Sequence, residues 1–428
     1  MNKTSVPADR TQTRTSRLGG WLPGDPQPLG AWLGATVVRA EQAGAPFHPV
    51  IVEFQALIEN DPVLFMYFTE MFAQQSVLPV PPGSGDIKLA NYHQMLVVIN
   101  HVLGTAPTWD ANDLVGLPID AILEYPMATP AGLAALATPK VNAMLRQVLA
   151  VWTSFLDSPA SRYVLNDTNS GWFNPAARRA LQLDQFQTDP AAPYLGFRSW
   201  NDFFIREFKP GLRPVARPGD DQAIVSACEA QPYSIRTHVK KTDTFWVKAQ
   251  PYSLQHLLAG HHVDEFVGGT IYQAFLSAKN YHRWHSPVSG TIVQLEQIAG
   301  TYYAEAASEG FDAFGPKNSQ GYLAHVATRA LIFIQADNPV IGLLCLVPVG
   351  MAEVSSCRFR DGAGEPLRVG QHVNKGDQVG YFQFGGSSHC LVFRPNVIGN
   401  FAAQALPHGE NGVDSCVVPV KSLLATAA

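Results

Sequence analysis

The sequence predicts an α+β protein, with a helical N-terminal region followed by a strand-rich region. Three observations carry this. Apolar residues recur at helical spacing up to about residue 160, short β-like runs broken by Gly and Pro follow Pro210, and a loop-rich stretch separates the two textures. At 428 residues the chain has room for two domains, or for one large domain with an extension.

Residues 1–30 read as a disordered arm, because Thr, Arg, Pro and Gly dominate there without periodicity. Ile51–Ile58, Pro62–Phe72 and Tyr92–Val102 have a helical pattern. The strongest case is Val141–Leu156, where Leu145, Val148, Leu149, Trp152 and Phe155 fall on one face. Residues 31–190 are assigned to a helical domain and 191–428 to the strand-rich one, with the boundary in the loop-rich stretch 158–198. Ser199-Trp-Asn-Asp202 has capping-box form and predicts a helix running through Phe203, Phe204 and Phe208. Gly269–Phe275, Thr291–Leu295, Leu331–Gln335, Leu343–Val349 and Gln378–Phe384 read as strands.

Thirty basic against 35 acidic residues give a formal charge of −5, so no overall basic field recruits nucleic acid. Cys228, Cys345, Cys357, Cys390 and Cys416 are widely spread and form no CxxC pair. That argues against a zinc site or a disulfide framework and for a reducing, cytoplasmic setting. The N-terminus lacks the apolar segment of a secretory signal. The longest uncharged apolar stretch, Val340–Ala352, is broken by Gly342, Pro348 and Gly350 and is too short to span a bilayer. The expectation is a soluble protein with at most peripheral membrane contact, and homo-oligomerisation stays open.

The chemistry concentrates at Phe384-Gly385-Gly386-Ser387-Ser388-His389. Two glycines leave the Gly386 carbonyl open to the Ser387 hydroxyl. Attack there would give an ester by an N→O acyl shift. β-Elimination would then free the Gly386 carboxylate and leave a dehydroalanine, which water converts to a pyruvoyl group with loss of ammonia. Such an attack needs a base for the hydroxyl and donors for the oxyanion. Taken alone, Gly-Gly-Ser-Ser is more often a plain turn. Tyr281-His282-Arg283-Trp284-His285-Ser286-Pro287-Val288-Ser289-Gly290 offers two histidines, one as base for Ser387 and one for proton transfer in turnover. The bland readings are a structural pair or half a metal site. No third ligand cluster accompanies the pair, so no metal is expected. His261-His262 reads as a solvated loop pair.

Four ordered segments resemble the phosphatidylserine decarboxylases: Asp202-Phe-Phe-Ile-Arg206-Glu-Phe-Lys209-Pro210-Gly-Leu-Arg213-Pro214, Tyr281–Gly290, Val347-Pro-Val-Gly350, and Lys375-Gly376 through Gly380-Tyr-Phe-Gln-Phe-Gly-Gly-Ser387. Lys248 with Tyr252-Ser-Leu254 and Leu257-Leu258 is similar to a further family segment. The likeness covers about residues 195–393 and is closer still to the soluble fungal L-tryptophan decarboxylases of psilocybin biosynthesis, through the helical extension, Ala227-Cys228-Glu229, His-Arg-Trp-His and Gly-Gly-Ser-Ser.

The resemblance implies self-cleavage between Gly386 and Ser387, a covalent pyruvoyl cofactor derived from Ser387, and two fragments of one chain that stay associated. It implies that His285 activates Ser387, that His282 serves decarboxylation, and that the pyruvoyl ketone captures the α-amine of a small amino-acid substrate as a Schiff base. The family's aspartate in a Pro-x-Asp-Gly turn is replaced here by Glu229-Ala230, whose extra methylene alters its reach, and Asn280 replaces the acidic residue common before Tyr-His-Arg. The resulting expectation is a carboxy-lyase acting on a free aromatic L-amino acid, with phosphatidylserine decarboxylation as the alternative and a non-catalytic binding module as the remote one. A serine hydrolase is disfavoured because Gly385-Gly-Ser387-Ser-His389 is not a Gly-x-Ser-x-Gly elbow. Arg206, Lys209, Arg213 and Arg217 read first as scaffold and helix-end contacts, with phosphate or carboxylate binding as the alternative. Trp284, Tyr302 and Tyr303 read as core as readily as substrate lining, and Cys228 and Cys390 as inert buried thiols.

Overall fold

A computed structural model describes residues 27–75, 88–110, 117–243, 252–304, 320–353, 356–409, 412 and 414–428. Lys248 and residues 1–26 of the expected arm lie outside these. Residues 27–30 correct the arm's limit, because they begin helix α1 (Gln27–Ala43), which buries Leu29, Leu33, Thr36 and Ala40 at helical spacing.

The helices α2 (Pro49–Asn60), α3 (Pro62–Gln74) and α4 (Tyr92–Val102) start where short polar side chains cap them. Asp61 accepts from the Val63 and Leu64 amides with Pro62 in the first turn, and Asn91 accepts from the Gln94 amide. Helices α5 (Pro118–Met127), α6 (Pro130–Ala137) and α7 (Pro139–Leu156) follow. Along α7 Leu145, Val148, Leu149 and Trp152 of the expected stripe are buried and Phe155 is half-buried against the same core, and the Trp152 indole donates to the Thr105 carbonyl at 2.8 Å. Burying each such side chain contributes roughly 1.5–3 kcal/mol. Helix α8 (Pro175–Leu181) lies in the loop-rich stretch.

Helix α9 (Trp200–Phe204) is capped by Ser199, which accepts from the Asp202 amide at 3.0 Å. It is shorter than expected. Ile205 leaves the helical region at ψ 25°, and Phe208 instead bridges Phe186 and stacks on its ring at 4.4 Å. The Asp202 carboxylate reaches the Arg198 amide at 2.9 Å rather than closing a capping box.

The strand-rich part contains β1 (Ala223–Val225), β2 (Gln231–Thr237), β3 (Thr270–Leu276), β4 (Arg283–His285), β5 (Gly290–Ile298), β6 (Arg329–Ala336), β7 (Leu343–Gly350), β8 (Cys357–Arg358), β9 (His372–Val373), β10 (Gln378–Phe382), β11 (Ser387–Phe393), β12 (Ile398–Phe401) and β13 (Leu423–Ala427). Between them lie short helices α10 (Leu254–Leu257), α11 (Val263–Phe266) and α12 (Gln320–Val326). A seven-stranded antiparallel sheet runs β2-β3-β11-β7-β6-β5-β9, with three-stranded sheets β1-β13-β12 and β4-β10-β8 beside it.

Strand β11 is hydrogen-bonded on both sides and buried throughout, so its side chains divide by period-2 alternation between two apolar clusters. Leu391 and Phe393 join one with Ala227, Cys228, Trp284 and Phe382; Cys390 and Val392 join the other with Leu254, Val347 and Val349. The core of the helical part reaches into the strand-rich part, taking in Tyr281, Tyr302, Tyr303, Ala352, Phe384 and Val420. Among the described residues no helix is long and apolar enough to cross a membrane.

Candidate active site

Ser387 opens β11 rather than closing a turn, opposite Leu276 on one side and Gly350 on the other. Its side chain is fully buried and its Oγ has no hydrogen-bond partner. The residue before it, Gly386, presents its carbonyl to the Met351 amide, which donates at 3.1 Å. A backbone N–H on the carbonyl beside an unengaged hydroxyl is the donor an oxyanion would need at that carbon. Ser388 is occupied instead: its Oγ accepts from Gln273 at 2.9 Å and lies within reach of the Ala274 carbonyl and Gln320 Oε1. Of the adjacent serines, only Ser387 is free to react.

Gly385 sits at φ 140°, outside the range L side chains ordinarily adopt, which swings the chain from Phe384 into β11. Phe384 is anchored edge-on against Trp152, Trp200 and Phe204. The aromatic core of the helical part thus fixes the approach to Ser387.

His282 is fully buried, makes no hydrogen bond of ordinary geometry through either ring nitrogen, and stacks on Phe204 at 4.2 Å. Burial, then the nearby Arg206 charge, pulls its pKa down to about 3, with the Asn280 backbone opposing. It is a neutral imidazole, one ring nitrogen a donor and the other an acceptor. His285 is also buried and neutral, held down to about 3 by burial first and then by Lys421, with the Gly376 carbonyl opposing. That carbonyl can only accept, so Nδ1–H donates to it at 2.9 Å, and Nε2 accepts from the Tyr281 hydroxyl at 2.9 Å.

No hydrogen bond joins Ser387, His285 and Glu229 to one another. Trp284 packs into the apolar cluster that the Ser387 side of β11 faces, while the next side chain, His285, lies on the opposite side of β4. There it borders a cleft of about 290 Å³ lined by Lys209, Arg213, Tyr281 and Lys421. Glu229 takes a bidentate contact from Arg213, at 2.6 Å and 3.1 Å, and the Val420 amide at 2.7 Å. The Glu229 segment still adjoins His285 through backbone, since the His285 amide donates to the Ala227 carbonyl at 2.8 Å.

The bland readings hold for several other side chains. Arg206 is buried over the Phe186 ring at 4.4 Å and donates to the Lys279 carbonyl, and Arg213 lies over Phe208. Trp284 packs edge-on against Phe382 at 4.9 Å. Cys228 and Cys390 are buried, and burial raises both thiols. His261 and His262 both contact Gln294. Among the described residues no cluster of His, Cys, Asp or Glu has the form of a metal site.

Two features were not singled out from the residues. The Met351 amide is a backbone group, invisible as a side-chain signal. His389 is two residues beyond Ser387 on the same face of β11, fully buried, with neither ring nitrogen hydrogen-bonded and burial pulling it to about 3. Strand alternation through Ser387 would have found it.

Two family models, both described as phosphatidylserine decarboxylase, match residues 48–181 and 200–411. An L-tryptophan decarboxylase of Psilocybe cubensis is 35% identical over 405 residues, covering 88% of each chain. The chain belongs to the phosphatidylserine decarboxylase family. Decarboxylase iboD of Amanita muscaria is 42% identical over 301 residues, covering 65% of this chain and 84% of that protein. Phosphatidylserine decarboxylase proenzyme 3 of Schizosaccharomyces pombe is 31% identical over 240 residues, covering 56% of this chain and 23% of that protein. This family member is therefore an enzyme, a decarboxylase of the carboxy-lyase class.

Proposed function

We propose that the chain cleaves itself between Gly386 and Ser387 and then decarboxylates a free, tryptophan-like L-amino acid to its amine. One observation carries the first half: the buried, unpartnered Ser387 Oγ beside a Gly386 carbonyl already held by the Met351 amide. Attack of Oγ on that carbonyl breaks the peptide C–N bond, moves a proton to the freed amine and leaves an ester. Elimination across the Ser387 Cα–Cβ bond then releases residues 1–386 with a free Gly386 carboxylate. Water replaces the enamine nitrogen, ammonia leaves, and residues 387–428 begin with a pyruvoyl group. The fragments stay together because β11 remains hydrogen-bonded between β3 and β7.

The pyruvoyl ketone supplies an electrophile for a substrate α-amine and a sink for the electrons left when carbon dioxide departs. His282, buried and neutral, is the group on this chain for proton transfer in turnover, and His285 is the proposed base for Ser387. Glu229 orients this region through Arg213 and the Val420 amide. The name proenzyme among the relatives supports the cleavage, and the match to an L-tryptophan decarboxylase across most of both chains supports the substrate.

The two glycines before the cleavage site give a first test. Gly385→Ala places a methyl at φ 140°, a strain of about 1–3 kcal/mol, and is expected to slow the appearance of fragments on a timed gel. In Gly386→Ala the added methyl meets only Leu117 Cδ1 and the Met351 carbonyl at 3.8 Å, so cleavage is expected to persist. The opposite order would remove the Gly385 geometry from the account.

The substrate is tested by parallel carbon dioxide release from L-tryptophan, L-tyrosine, L-phenylalanine, L-alanine and phosphatidylserine in mixed micelles. The aromatic acids are expected to exceed alanine by about 10–200-fold in kcat/KM, the range an apolar pocket achieves. Turnover of the phospholipid alone would replace this reading with phosphatidylserine decarboxylation, the activity in the family's description.

A further inference from the structure

Past the end of β7 the chain folds back over the cleavage site. The Met351 amide holds the Gly386 carbonyl, and the next residues, Ala352 and Glu353, take φ of 35° and 26°. Non-glycine residues rarely occupy this region, and such strain persists where surrounding contacts enforce it. Glu353 is 1% exposed. Its Oε1 caps helix α5, accepting from the Ile119 and Asp120 amides. Its Oε2 is buried with no partner.

A second orphan faces the same place. Tyr303 is 2% exposed and its hydroxyl has no partner; its segment is tied to the end of β7 through Thr328, whose amide donates to the Thr301 carbonyl at 3.1 Å and whose carbonyl accepts from the Gly350 amide at 2.8 Å, and after burial the Glu353 and Asp120 charges raise the phenol further. Burial first, and then the Asp120 charge, also raises the Glu353 carboxyl well above the usual carboxylate range, and a donor arriving at Oε2 would favour its ionised form. Around these groups Leu117, Tyr303, Ala352 and Phe384 belong to one buried apolar cluster. Leu117 Cδ1 comes within 3.8 Å of where a Cβ on Gly386 would stand. An apolar wall and two unsatisfied polar atoms therefore converge beside the residue that precedes the cleavage point. The self-cleavage chemistry uses neither. Leaving buried polar atoms unpaired is costly, so their natural complement is a ligand that is itself apolar with one hydrogen-bonding group.

We infer that Glu353 and Tyr303 form a specificity subsite that receives the substrate side chain, and that it selects an aromatic ring bearing an N–H or O–H donor. This rests on the proposed decarboxylation of a free aromatic amino acid and narrows it. An indole N–H can satisfy Oε2 or the phenol oxygen, whereas a phenylalanine ring leaves both unpaired. A site that hydrogen-bonds its substrate discriminates by the groups left unsatisfied in the wrong complex.

The test compares L-tryptophan, 1-methyl-L-tryptophan and L-phenylalanine on processed wild type, Tyr303→Phe and Glu353→Gln. Tyr303→Phe removes only the hydroxyl. Glu353→Gln keeps a side-chain oxygen to cap α5 and converts the free acceptor to a donor. Wild type is expected to prefer L-tryptophan to its 1-methyl analogue by about 10-fold or more in kcat/KM, the effect of losing one buried hydrogen bond. Each variant should reduce that preference while retaining self-cleavage and phenylalanine turnover. A readout without turnover is calorimetric binding of tryptamine and N1-methyltryptamine to borohydride-reduced enzyme, where the same preference should appear and shrink in the variants. If the variants lower tryptophan and phenylalanine turnover equally, or wild type treats tryptophan and its 1-methyl analogue alike, the subsite is wrong while aromatic decarboxylation stands. Should Glu353→Gln not fold, Tyr303→Phe decides the matter by itself. If wild type releases carbon dioxide from none of the three acids, the substrate reading falls and takes the subsite with it.

Discussion

Ser387→Ala is expected to remain a single chain of 46.5 kDa with no decarboxylase activity, while wild type separates on a denaturing gel into residues 1–386 and 387–428. The effect is all-or-none because one residue supplies both the cleavage nucleophile and the carbon skeleton of the prosthetic group. Alanine has no hydroxyl to drive the acyl shift, and no base or oxyanion donor elsewhere can replace it. The neighbouring Ser388 cannot substitute, since its Oγ is bound to Gln273 and close to Ala274 and Gln320 in the other face of the strand. Folding should survive, because Ser387 Oγ makes no hydrogen bond and alanine fills a buried strand position without polar cost. Matching thermal melts for the mutant and wild type would establish that. Ser387→Cys retains a nucleophile and is expected to cleave at least in part. Borohydride should abolish wild-type activity by reducing the ketone and leave the fragment pattern unchanged. Active wild type that appears intact in a mass spectrum would falsify the pyruvoyl reading.

What the residues disclosed and what they concealed follow from the range of the interactions. The α7 stripe and the runs that become β6 and β7 were legible because burial of one face imposes a local period, and their ends fall within a few residues of the expected ones. The extent of α9 was misjudged because its end is set from outside, by Phe208 pairing with Phe186 rather than by any breaker in the helix. Ser387 stands out in the sequence through the ordered segments that accompany it, since its two glycines alone read as a turn, and its place at the head of a strand paired on both sides depends on β3 and β7, both remote in sequence. Glu229 was named for its likeness to an orienting aspartate. The partner its carboxylate actually holds, Arg213, is one of the basic residues that read first as scaffold contacts. Glu353 is not legible in the sequence, since a single glutamate after an apolar run looks like a surface residue until a helix terminus from far earlier in the chain is placed on it.

The two histidines of Tyr281–His285 are expected to fail differently. His285→Ala should leave the chain uncleaved. His282→Ala should still cleave and then turn over about 10²–10⁴-fold more slowly, the usual worth of a positioned proton donor or acceptor. The reasoning begins with their contacts. His282 makes no hydrogen bond of ordinary geometry, so removing its ring costs chiefly packing against Phe204. A group so placed, buried and neutral, is available for proton transfer. His285 is engaged at both nitrogens and lies across β4 from the cluster that Ser387 faces, so to take the Ser387 proton its Nε2 must release the Tyr281 hydroxyl and the ring must turn toward the serine. Tyr281→Phe removes that competing donor while keeping the Gly376 contact, so it should cleave, and Tyr281→Phe with His285→Ala should not. If Tyr281→Phe blocks cleavage as completely as His285→Ala, the tyrosine belongs to the proton path rather than competing with it. The kcat and KM of His282→Ala separate its role from simple loss of packing: a proton-transfer group lowers kcat with little change in KM, whereas a distorted pocket raises KM as well. Cleavage lost in His282→Ala and kept in His285→Ala would reverse the two assignments.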